Sequence, residues 1–572
     1  MITLNNINLS SIDLSGIDLR GIKLGLGGRG GGSGDGFPQL PGDVTRWHFG
    51  GLTNEMMAAM DDPRIEDADH KGRFLSFKNF AWKEGSGISD IYPGALVFDG
   101  VDDWAGCDNL PLLPKEKGYS IIALRNWITR YDATQYKRPL ISNLDTNDEG
   151  AFLIEYRKDE NVNDVTGSYN SFTDVYIDDN NPITWQTSSS YNGQIIKKGT
   201  SKSTNKLCIC KTYFGQLSNY ANAAIWEIVI LDHDATEEEL TKIKDYFVKT
   251  YPWLFPDQAW TVTGKTNEDE DRATIANITG NGNDLVLSNF GFAEGSRYGL
   301  YAENYAGGRW VQSTDRADLT WTSYSVNITS VKVASTQLYY QSYPEQPSFT
   351  VPSYKIKVYG LKDGQTLSYK QVTSEGQQIY KISEDGIYTL PSFLFKANGD
   401  WYGFTLDKIQ ETCDITIEQI PEYEGYLVTD GVDDKIVSSV FGMGKDFTIV
   451  GDWKFIDNKK SGTGLVKGSS FYIYNTMIGL DLYINSGSVK NSLDGIKSIN
   501  AACSDGRAYD RNWNEILANT GNVVGSGGTL EVSSSGGRFD RIAFKNLAIY
   551  PRILSKDDCI KAYNYLQTLK AK

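Results

Sequence analysis

Apolar and polar residues alternate over many short stretches of this chain. Tyr354–Val358 and Ile415–Ile417 follow a strict period of two, which is typical of strands with one buried face. The 57 glycines supply many turn positions, and apolar runs at helical spacing are confined to two short segments. The pattern therefore predicts a mainly β protein.

Two short helices are predicted, each shortly after an apolar strand. The first begins with Thr236–Glu239, a capping-box sequence, and the second begins with Ser555 as a plainer N-cap. Burying three apolar side chains stabilises a helix on a sheet by on the order of 5 kcal/mol. The apolar stripes of the two helices are Leu240, Ile243 and Phe247, and Cys559, Ala562, Tyr563 and Leu566.

Two parts of the sequence are near copies of each other. Residues 47–55 resemble 260–268 at an offset of 213, and the match continues at an offset of 210 as far as Ser296. The stretches LVFDGVDD at 96–103 and LVTDGVDD at 427–434 are offset by 331, so 121 residues (331 minus 210) are extra in the second copy. The chain is predicted to contain two copies of one β domain, the second of them interrupted.

The domain organisation follows from this duplication. Residues 1–36 form an N-terminal arm and a Gly-rich hinge, and 37–257 form the first domain. The second domain is split into 258–300 and 421–572, and 301–420 form an inserted domain. Within the insert, Asp363-Gly364, Asp385-Gly386 and Asn398-Gly399 are hairpin-type turns between short runs, which favours a small antiparallel sandwich.

The arm carries a repeat with a period of five. A single coil of such repeats cannot bury its own apolar row, so an arm that anchors or oligomerises the chain is favoured over a frayed tail. Gly25–Gly30 matches a dinucleotide-binding string, but a Gly-rich linker follows it instead of a helix, so no cofactor is expected. The apolar positions of the repeat are Ile2, Leu4, Ile7, Leu9, Ile12, Leu14, Ile17, Leu19, Ile22 and Leu24.

Charge and cysteine content narrow the class of protein. The net charge of −16 argues against a nucleic-acid partner, because phosphate binding needs clustered Lys and Arg. Six cysteines are too few for a disulfide framework, and they are expected to be reduced and structural. Neither a signal peptide nor a membrane span is expected, since no basic n-region with an apolar core and no long apolar run is found.

The combination of a strand ending in DGVDD, further apolar strands and a terminal helix resembles LamG-type, concanavalin A-like jelly-roll domains. The resemblance covers about 37–255 and about 258–300 with 425–572. It implies antiparallel β-sandwiches that bind glycans or proteins at loop edges, in some cases with calcium. The whole arrangement, including Thr266–Asp284, is similar to virion fibre proteins of Bacteroides phages, especially crAss-like phages, and this similarity implies a homo-oligomer, typically a trimer.

The carboxylates of the DGVDD motif offer hard oxygen ligands for calcium at Asp99, Asp102 and Asp103. The favoured interpretation is structural: Asp99 caps the turn, and the acidic pair faces solvent or holds a neighbouring loop. No metal site is assigned. Glycan stacking needs exposed aromatic rings, and the candidates for it are Trp104, Tyr301, Tyr305 and Trp310.

An enzyme is not expected from the sequence. No Glu-x-Asp-x-x-Glu string suits a retaining glycosidase, and Glu268–Asp271 is interpreted as a solvated loop. The three histidines, His48, His70 and His233, lie in no recognisable triad context.

The leading hypothesis is a structural protein of a phage virion, a head or tail fibre. It would be made in the host cytoplasm, would attach to capsid or tail proteins through residues 1–36, and would display β-sandwich domains to host or mucus glycans. A non-catalytic bacterial carbohydrate-binding protein is the alternative, and a glycan-cleaving enzyme is the third hypothesis.

Overall fold

The computed structural model describes residues 36–571 with gaps. The gaps are 114–117, 130–136, 146–151, 158–173, 178–181, 189–203, 215–218, 293–294, 314–315, 342–346, 397–398, 458–462, 468–470, 476–478, 485–488, 495–498, 519–526, 533, 536–537 and 540. The N-terminal arm, with the ten apolar positions from Ile2 to Leu24, lies outside the described residues.

The described chain divides into two compact units. The first consists of the residues up to Asp90 and of Gly94–Thr250, and the second contains Tyr251–Lys572 together with Ile91–Pro93. The boundary after Thr250 precedes the sequence-based one at 257, and the sheets of the insert belong to the second unit. None of the helices in the described part combines the length and apolar character that crossing a membrane requires.

The first unit is a sandwich of two antiparallel sheets closed by a helix. One sheet has the order β10-β11-β7-β13-β5-β4 with β1 beside β13, and the other has the order β2-β3-β6-β12-β8-β9. Its elements are β1 (Val44–His48), α1 (Asn54–Ala58), β2 (Arg64–Glu66), β3 (Phe74–Lys78), β4 (Gly87–Ile88), β5 (Leu96–Asp99), β6 (Trp104–Cys107), β7 (Tyr119–Thr129), β8 (Lys137–Ser142), β9 (Leu153–Arg157), β10 (Asp174–Ile177), β11 (Ile183–Ser188), β12 (Leu207–Ile209), β13 (Asn222–Leu231) and α2 (Glu237–Thr250).

The second unit begins with the 3-10 helix Pro252–Leu254 and then interrupts its own sandwich with the insert. The strands before the insert are β14 (Gln258–Thr261), β15 (Thr274–Ile275), β16 (Leu285–Ser288) and β17 (Arg297–Leu300). The insert contributes β18 (Trp310–Gln312), β19 (Ala317–Trp321), β20 (Ser325–Val331), β21 (Thr336–Tyr340), β22 (Phe349–Val351), β23 (Tyr354–Tyr359), β24 (Thr366–Thr373), β25 (Gly376–Ile382), β26 (Gly386–Leu390), β27 (Phe393–Phe395), β28 (Trp401–Lys408) and β29 (Thr412–Ile420).

The chain then returns to the second sandwich. Leu300 of β17 pairs with Glu422 of the next strand, so the insert leaves and re-enters its host at neighbouring positions. The remaining elements are β30 (Glu422–Val428), β31 (Lys435–Ser438), β32 (Phe441–Gly442), β33 (Thr448–Asp457), β34 (Thr463–Lys467), β35 (Phe471–Asn475), β36 (Gly479–Ile484), β37 (Val489–Asp494), β38 (Ile499–Cys503), β39 (Arg507–Asp510), β40 (Glu515–Ala518), β41 (Gly527–Gly528), β42 (Glu531–Val532), β43 (Ser534–Ser535), β44 (Arg538–Phe539), β45 (Arg541–Tyr550) and α3 (Lys556–Thr568).

Each pair of sheets encloses a core of its own. In the second sandwich, β17-β30-β45-β33-β38-β39-β40, with β14 beside β45, faces β15-β16-β31-β42-β34-β35-β36-β37. In the insert, β18-β21-β28-β24-β25 faces β19-β20-β29-β23-β26. Since apolar burial is the main favourable term in folding, these cores confirm the predicted fold class, antiparallel β-sandwiches of which the two larger end in a short helix.

The two copies share unusual backbone conformations as well as sequence. Asn79 and its counterpart Asn289 have φ values of +70° and +68°, and Trp82 and its counterpart Phe292 have +50° and +47°. The glycines of the two DGVDD motifs, Gly100 and Gly431, have φ values of +76° and +73°, the left-handed region that glycine adopts without strain. A duplicated fold explains such coincidence at equivalent positions.

The two helices predicted from the sequence, α2 and α3, begin where their capping residues indicate. Thr236 N–H donates to Glu239 Oε2 at 2.8 Å, and Glu239 N–H donates to Thr236 Oγ1 at 3.3 Å, which completes the capping box. Asp558 N–H donates to Ser555 Oγ at 3.1 Å. The stripes were only partly right, because Tyr246 rather than Leu240 is buried in α2 and Tyr565 rather than Tyr563 is buried in α3.

The hairpin interpretation of two insert turns was wrong. Asp363-Gly364 connects β23 to β24, and Asp385-Gly386 connects β25 to β26, and in both cases the two strands belong to different sheets. The tight turn is present, but the strands after it cross the core instead of pairing across the turn. Asn398 lies outside the described residues.

Candidate functional site

The two DGVDD motifs form turns that are capped by their own side chains. Asp99 Oδ1 accepts hydrogen bonds from the N–H groups of Val101 (2.8 Å) and Asp103 (3.2 Å), as well as from Asp102. Asp103 in turn accepts the Asp99 N–H through Oδ2 at 3.0 Å. In the second copy Asp430 Oδ1 accepts the Val432 N–H at 2.7 Å. The capping role predicted for Asp99 is confirmed.

Residues from the duplicated flanks hold each turn in place. Asn79 Nδ2 donates to the Asp102 carbonyl at 2.9 Å, and Asn289 Nδ2 donates to the Asp433 carbonyl at 3.0 Å. The Ser86 hydroxyl hydrogen-bonds Asp103, and its oxygen also accepts the Ala81 N–H at 2.8 Å. The stretches that the sequence comparison matched therefore meet around the turns.

The last carboxyl of each motif is buried and has a perturbed pKa. Burial, together with the negative charges of Asp99 and Asp102, raises the pKa of Asp103 to about 7 despite the hydrogen bonds from Ser86 and the Asp99 N–H. Burial and the charge of Asp430 raise the pKa of Asp434 to about 7 in the same way. One oxygen from each of the three carboxylates lies within 4.8 Å of the others in both copies. Hydrogen bonds from backbone N–H groups of the turn engage the first and last carboxylates of each motif, and the middle one is exposed.

The four aromatic candidates for glycan stacking differ in burial and in the groups that contact their rings. Tyr305 and Trp310 are buried in the core of the insert, so these two candidates are not accessible to a sugar. Trp104 is half-buried with the Lys211 ammonium 4.0 Å from its ring centroid. Tyr301 stacks on Tyr324 with a centroid distance of 5.1 Å.

The histidines, the acidic run and the cysteines form no site with one another among the described residues. His70 lies 3.1 Å from Glu66, and His233 bridges Asp232 and Glu239 at 3.1 Å and 3.2 Å next to the N-terminus of α2. His48 lies on β1. The acidic run Glu268–Asp271 lies in the turn-rich segment between β14 and β15, where Asp269 accepts the Thr266 N–H at 2.9 Å. All six cysteines are buried and free.

A surface of the second sandwich brings together aromatic and charged side chains that the sequence did not single out. At its centre Asp452 is buried, accepts the Tyr426 hydroxyl at 2.7 Å and hydrogen-bonds the Tyr563 hydroxyl. Arg511 Nη2 lies 3.8 Å from the other Asp452 oxygen and is half exposed. We call this the Asp452 surface; its members are Tyr426, Asp452, Lys454, Arg511, Trp513, Lys545 and Tyr563.

A tight loop between β39 and β40 carries Trp513 and Arg511. Asp510 Oδ1 accepts the N–H groups of Asn512 and Asn514, both at 2.8 Å, and the Trp513 N–H donates to the Asp510 carbonyl at 3.1 Å. Trp513 has a φ of +61°, a conformation that costs a non-glycine residue about 1 kcal/mol or more. These hydrogen bonds hold the backbone of the loop at Trp513.

The indole of Trp513 is partly exposed and packs against Tyr563. The two rings meet edge to face with a centroid distance of 5.5 Å, a preferred geometry for aromatic pairs. Tyr563 is itself fixed by its hydrogen bond to Asp452. An aromatic ring held in this way on a surface is suited to stacking on a flat apolar face of a ligand.

Two lysines lie beside these rings. Lys454 Nζ lies 4.2 Å from the ring centroid of Tyr426, and Lys545 Nζ lies 5.8 Å from the same centroid. Partial burial lowers the pKa of Lys454, and the positive charges of Arg511 and Lys545 lower it further against the opposing effect of Asp452. Two cations over one ring repel each other, an arrangement that an anion would relieve.

Comparison with known proteins gives little further information. No known protein family and no curated protein matches the chain. A solved structure of Trypanosoma rangeli sialidase is 8% identical, with 51% of this chain and 68% of that chain covered at a TM-score of 0.19. A tandem CBM22 domain of Paenibacillus barcinonensis Xyn10C is 9% identical over 45% of this chain and 98% of that one, at a TM-score of 0.15. An archaeal virus protein with a triple jelly roll and turret assembly is 10% identical over 52% and 65%, at a TM-score of 0.12.

One sequence-based prediction is corrected by these comparisons. The chain was expected not to be an enzyme, whereas solved structures similar to it include sialidases, which are enzymes. That expectation is withdrawn. No residue of this chain is assigned a catalytic role.

Proposed function

We propose that the chain is a glycan-binding β-sandwich protein of a phage virion, a head or tail fibre, and that the Asp452 surface is its glycan site. The virion assignment rests on the resemblance of the sequence to fibre proteins of crAss-like phages and on the period-five arm. In this proposal residues 1–36 attach the chain to capsid or tail proteins and assemble it into a homo-oligomer, expected to be a trimer.

The observation that carries the glycan assignment is the presentation of Trp513. Its loop is closed by hydrogen bonds to Asp510, its backbone is in the left-handed region, and its ring packs edge to face on Tyr563. Carbohydrate recognition combines an aromatic platform with a few fixed polar groups. Arg511, in the same loop as Trp513, provides a half-exposed guanidinium 3.8 Å from the buried Asp452.

Glycan binding is tested with the full-length protein on an array of bacterial and mucin polysaccharides. The Trp513→Ala variant is expected to lose up to about tenfold in affinity, since stacking on one aromatic ring contributes roughly 0.5–1.5 kcal/mol. Tyr359→Ala is the matched control, because Tyr359 is an exposed aromatic residue of β23 outside the surface. Equal binding by wild type and Trp513→Ala would contradict the assignment of the site.

The arm is tested separately by light scattering. Full-length protein is expected to be oligomeric and a variant lacking residues 1–36 monomeric, because one coil of the repeat leaves its apolar row uncovered. Monomers in both cases would remove the support for an assembly arm, and with it the main support for a fibre.

A further inference from the structure

The duplication provides an internal control for the Asp452 surface. Both large sandwiches have the same pair of central strands, β7 with β13 in the first and β33 with β45 in the second, and residues are matched by their partners in the ladders. A residue that the shared fold requires should be of similar character in both copies. A side chain whose character differs between equivalent positions of the two copies is not needed for the fold that they share.

The matched positions differ in charge. Asp452 of β33 corresponds to Leu124 of β7. Asp452 pairs with Asn546 and Leu124 pairs with Glu227 at equivalent positions of the two ladders. Lys454 corresponds to Asn126, since their partners Ala543 and Ala224 are equivalent. The shared fold therefore does not require a carboxylate and an ammonium at these positions.

Lys545 lies at a β-bulge that both copies share but fill with different side chains. In both copies the central ladder contains a β-bulge, and the extra residue is Trp226 in β13 and Lys545 in β45. Trp226 is buried, whereas Lys545 is partly exposed and lies 5.8 Å from the Tyr426 ring centroid. Bulges re-aim side chains and are common next to functional sites. The first copy uses the bulge for packing, and the second uses it to place a cation on the surface.

The charges of the surface do not balance. Lys454, Lys545 and Arg511 supply three cations, and the carboxylate of Asp452 already accepts hydrogen bonds from two tyrosines. The next charged residue along β30 is the exposed Glu424, and beyond it Glu422 of β30 and Arg541 of β45 act on Tyr423 in opposite directions. Among the members of the surface the cations therefore outnumber the carboxylate three to one, in a chain whose net charge is −16.

We infer that the Asp452 surface binds an acidic polysaccharide, whose carboxylate or sulfate groups contact Lys454, Lys545 and Arg511 while a sugar ring stacks on Trp513. This inference rests on the proposed function and adds the chemical class of the glycan. Lysine and arginine form charge-assisted hydrogen bonds with such groups, and the ring supplies the apolar contact that a bare anion would not use.

The test measures binding of the full-length protein to matched pairs of immobilised polysaccharides. The pairs are carboxymethyl-dextran with dextran, polygalacturonate with galactan, and chondroitin sulfate with unsulfated chondroitin; the last separates sulfate from carboxylate recognition. The expected result is binding to acidic members at least about tenfold tighter than to neutral ones, weakening as salt is added.

Variants connect that preference to the surface. Lys454→Gln with Lys545→Gln is expected to abolish the acidic preference, and the corresponding double arginine variant is expected to keep it. Lys355→Gln with Lys357→Gln is the matched control, because these two lysines lie exposed at alternate positions of β23 and Lys357 also lies over a tyrosine, 5.4 Å from the Tyr359 ring centroid. This control removes the same charge and is expected to bind as wild type does.

The outcomes separate this inference from the proposed function. Equal, Trp513-dependent binding of acidic and neutral members would overturn the inference and leave the glycan function standing. Binding of poly-glutamate with the affinity of the acidic glycans, unchanged in Trp513→Ala, would also overturn it, because the surface would then recognise any polyanion. Binding to none of the polysaccharides would overturn both.

Discussion

Replacing Asp103 with Asn is expected to remove a pH dependence of stability that is built into the first sandwich. The carboxyl is buried, and its pKa is raised from an ordinary value of 3.8 to about 7. A group whose pKa is higher in the folded than in the unfolded state stabilises the fold when protonated, and this stabilisation is lost as the pH rises through the folded-state value. Asn carries the same shape without a charge, accepts the Asp99 N–H and can donate to Ser86.

The size of the effect follows from the two pKa values. Each pKa unit corresponds to about 1.4 kcal/mol. Between pH 5 and pH 8 the unfolded chain is ionised throughout at this position, while the folded chain becomes ionised only near pH 7. Wild type is therefore expected to lose about 2.5 kcal/mol of unfolding free energy across this range through Asp103 alone, and the Asn variant is expected to lose none through this position.

Urea denaturation at pH 5, 6, 7 and 8, followed by tryptophan fluorescence, measures this difference. Asp61→Asn is the matched control, because it removes an exposed carboxylate of the first unit that lies outside the DGVDD turn, whereas the charge of Asp102 itself acts on Asp103. Asp434→Asn should reproduce the effect in the unfolding of the second unit, since burial likewise raises the pKa of Asp434 to about 7. Parallel pH profiles for Asp103→Asn and Asp61→Asn would refute the reasoning.

Three further predictions concern local structure. Thr236→Ala and Ser555→Ala should each cost about 1 kcal/mol in urea denaturation by removing a helix cap, whereas Thr241→Ala, within α2, should cost less. Gly431→Ala should destabilise by about 1–2 kcal/mol, since φ is +73° and a Cβ would lie 3.1 Å from the Arg541 nitrogen; Gly442→Ala, which meets nothing within 4 Å, is the control. Ellman titration should find no reactive thiol in native protein and six after unfolding; rapid native labelling would contradict the burial of the cysteines.

Much of the fold was readable in the sequence because its signals are local. Alternation predicted the strands at Tyr354 and Ile415, the caps at Thr236 and Ser555 start their helices, and the glycine of each DGVDD motif has the positive φ that its turn requires. Each signal spans a few residues, so the chain need not be folded for it to be recognised. The duplication added long-range information, since similar flanks around similar turns fold alike.

The Asp452 surface could not be read in the same way. Its members come from β30, β33, β45, α3 and the loop after β39, and no single stretch carries the pattern. A signal was nevertheless present: aligning the two copies sets Asp452, Lys454 and Lys545 against Leu124, Asn126 and Trp226. Trp310 and Tyr305, two candidates for stacking, lie in the core of the insert; composition alone cannot tell a core aromatic residue from an exposed one.

The sequence by itself determined the β character of the chain, its repeated turns and the starts of its helices, since these depend on propensity, periodicity and hydrogen bonds between near neighbours. Only the tertiary structure decided which turns cross between sheets, which carboxyls are buried enough for a raised pKa, and which side chains meet around Asp452. Burial and electrostatic coupling depend on residues distant in the chain, and these come together only when the sheets close over their cores.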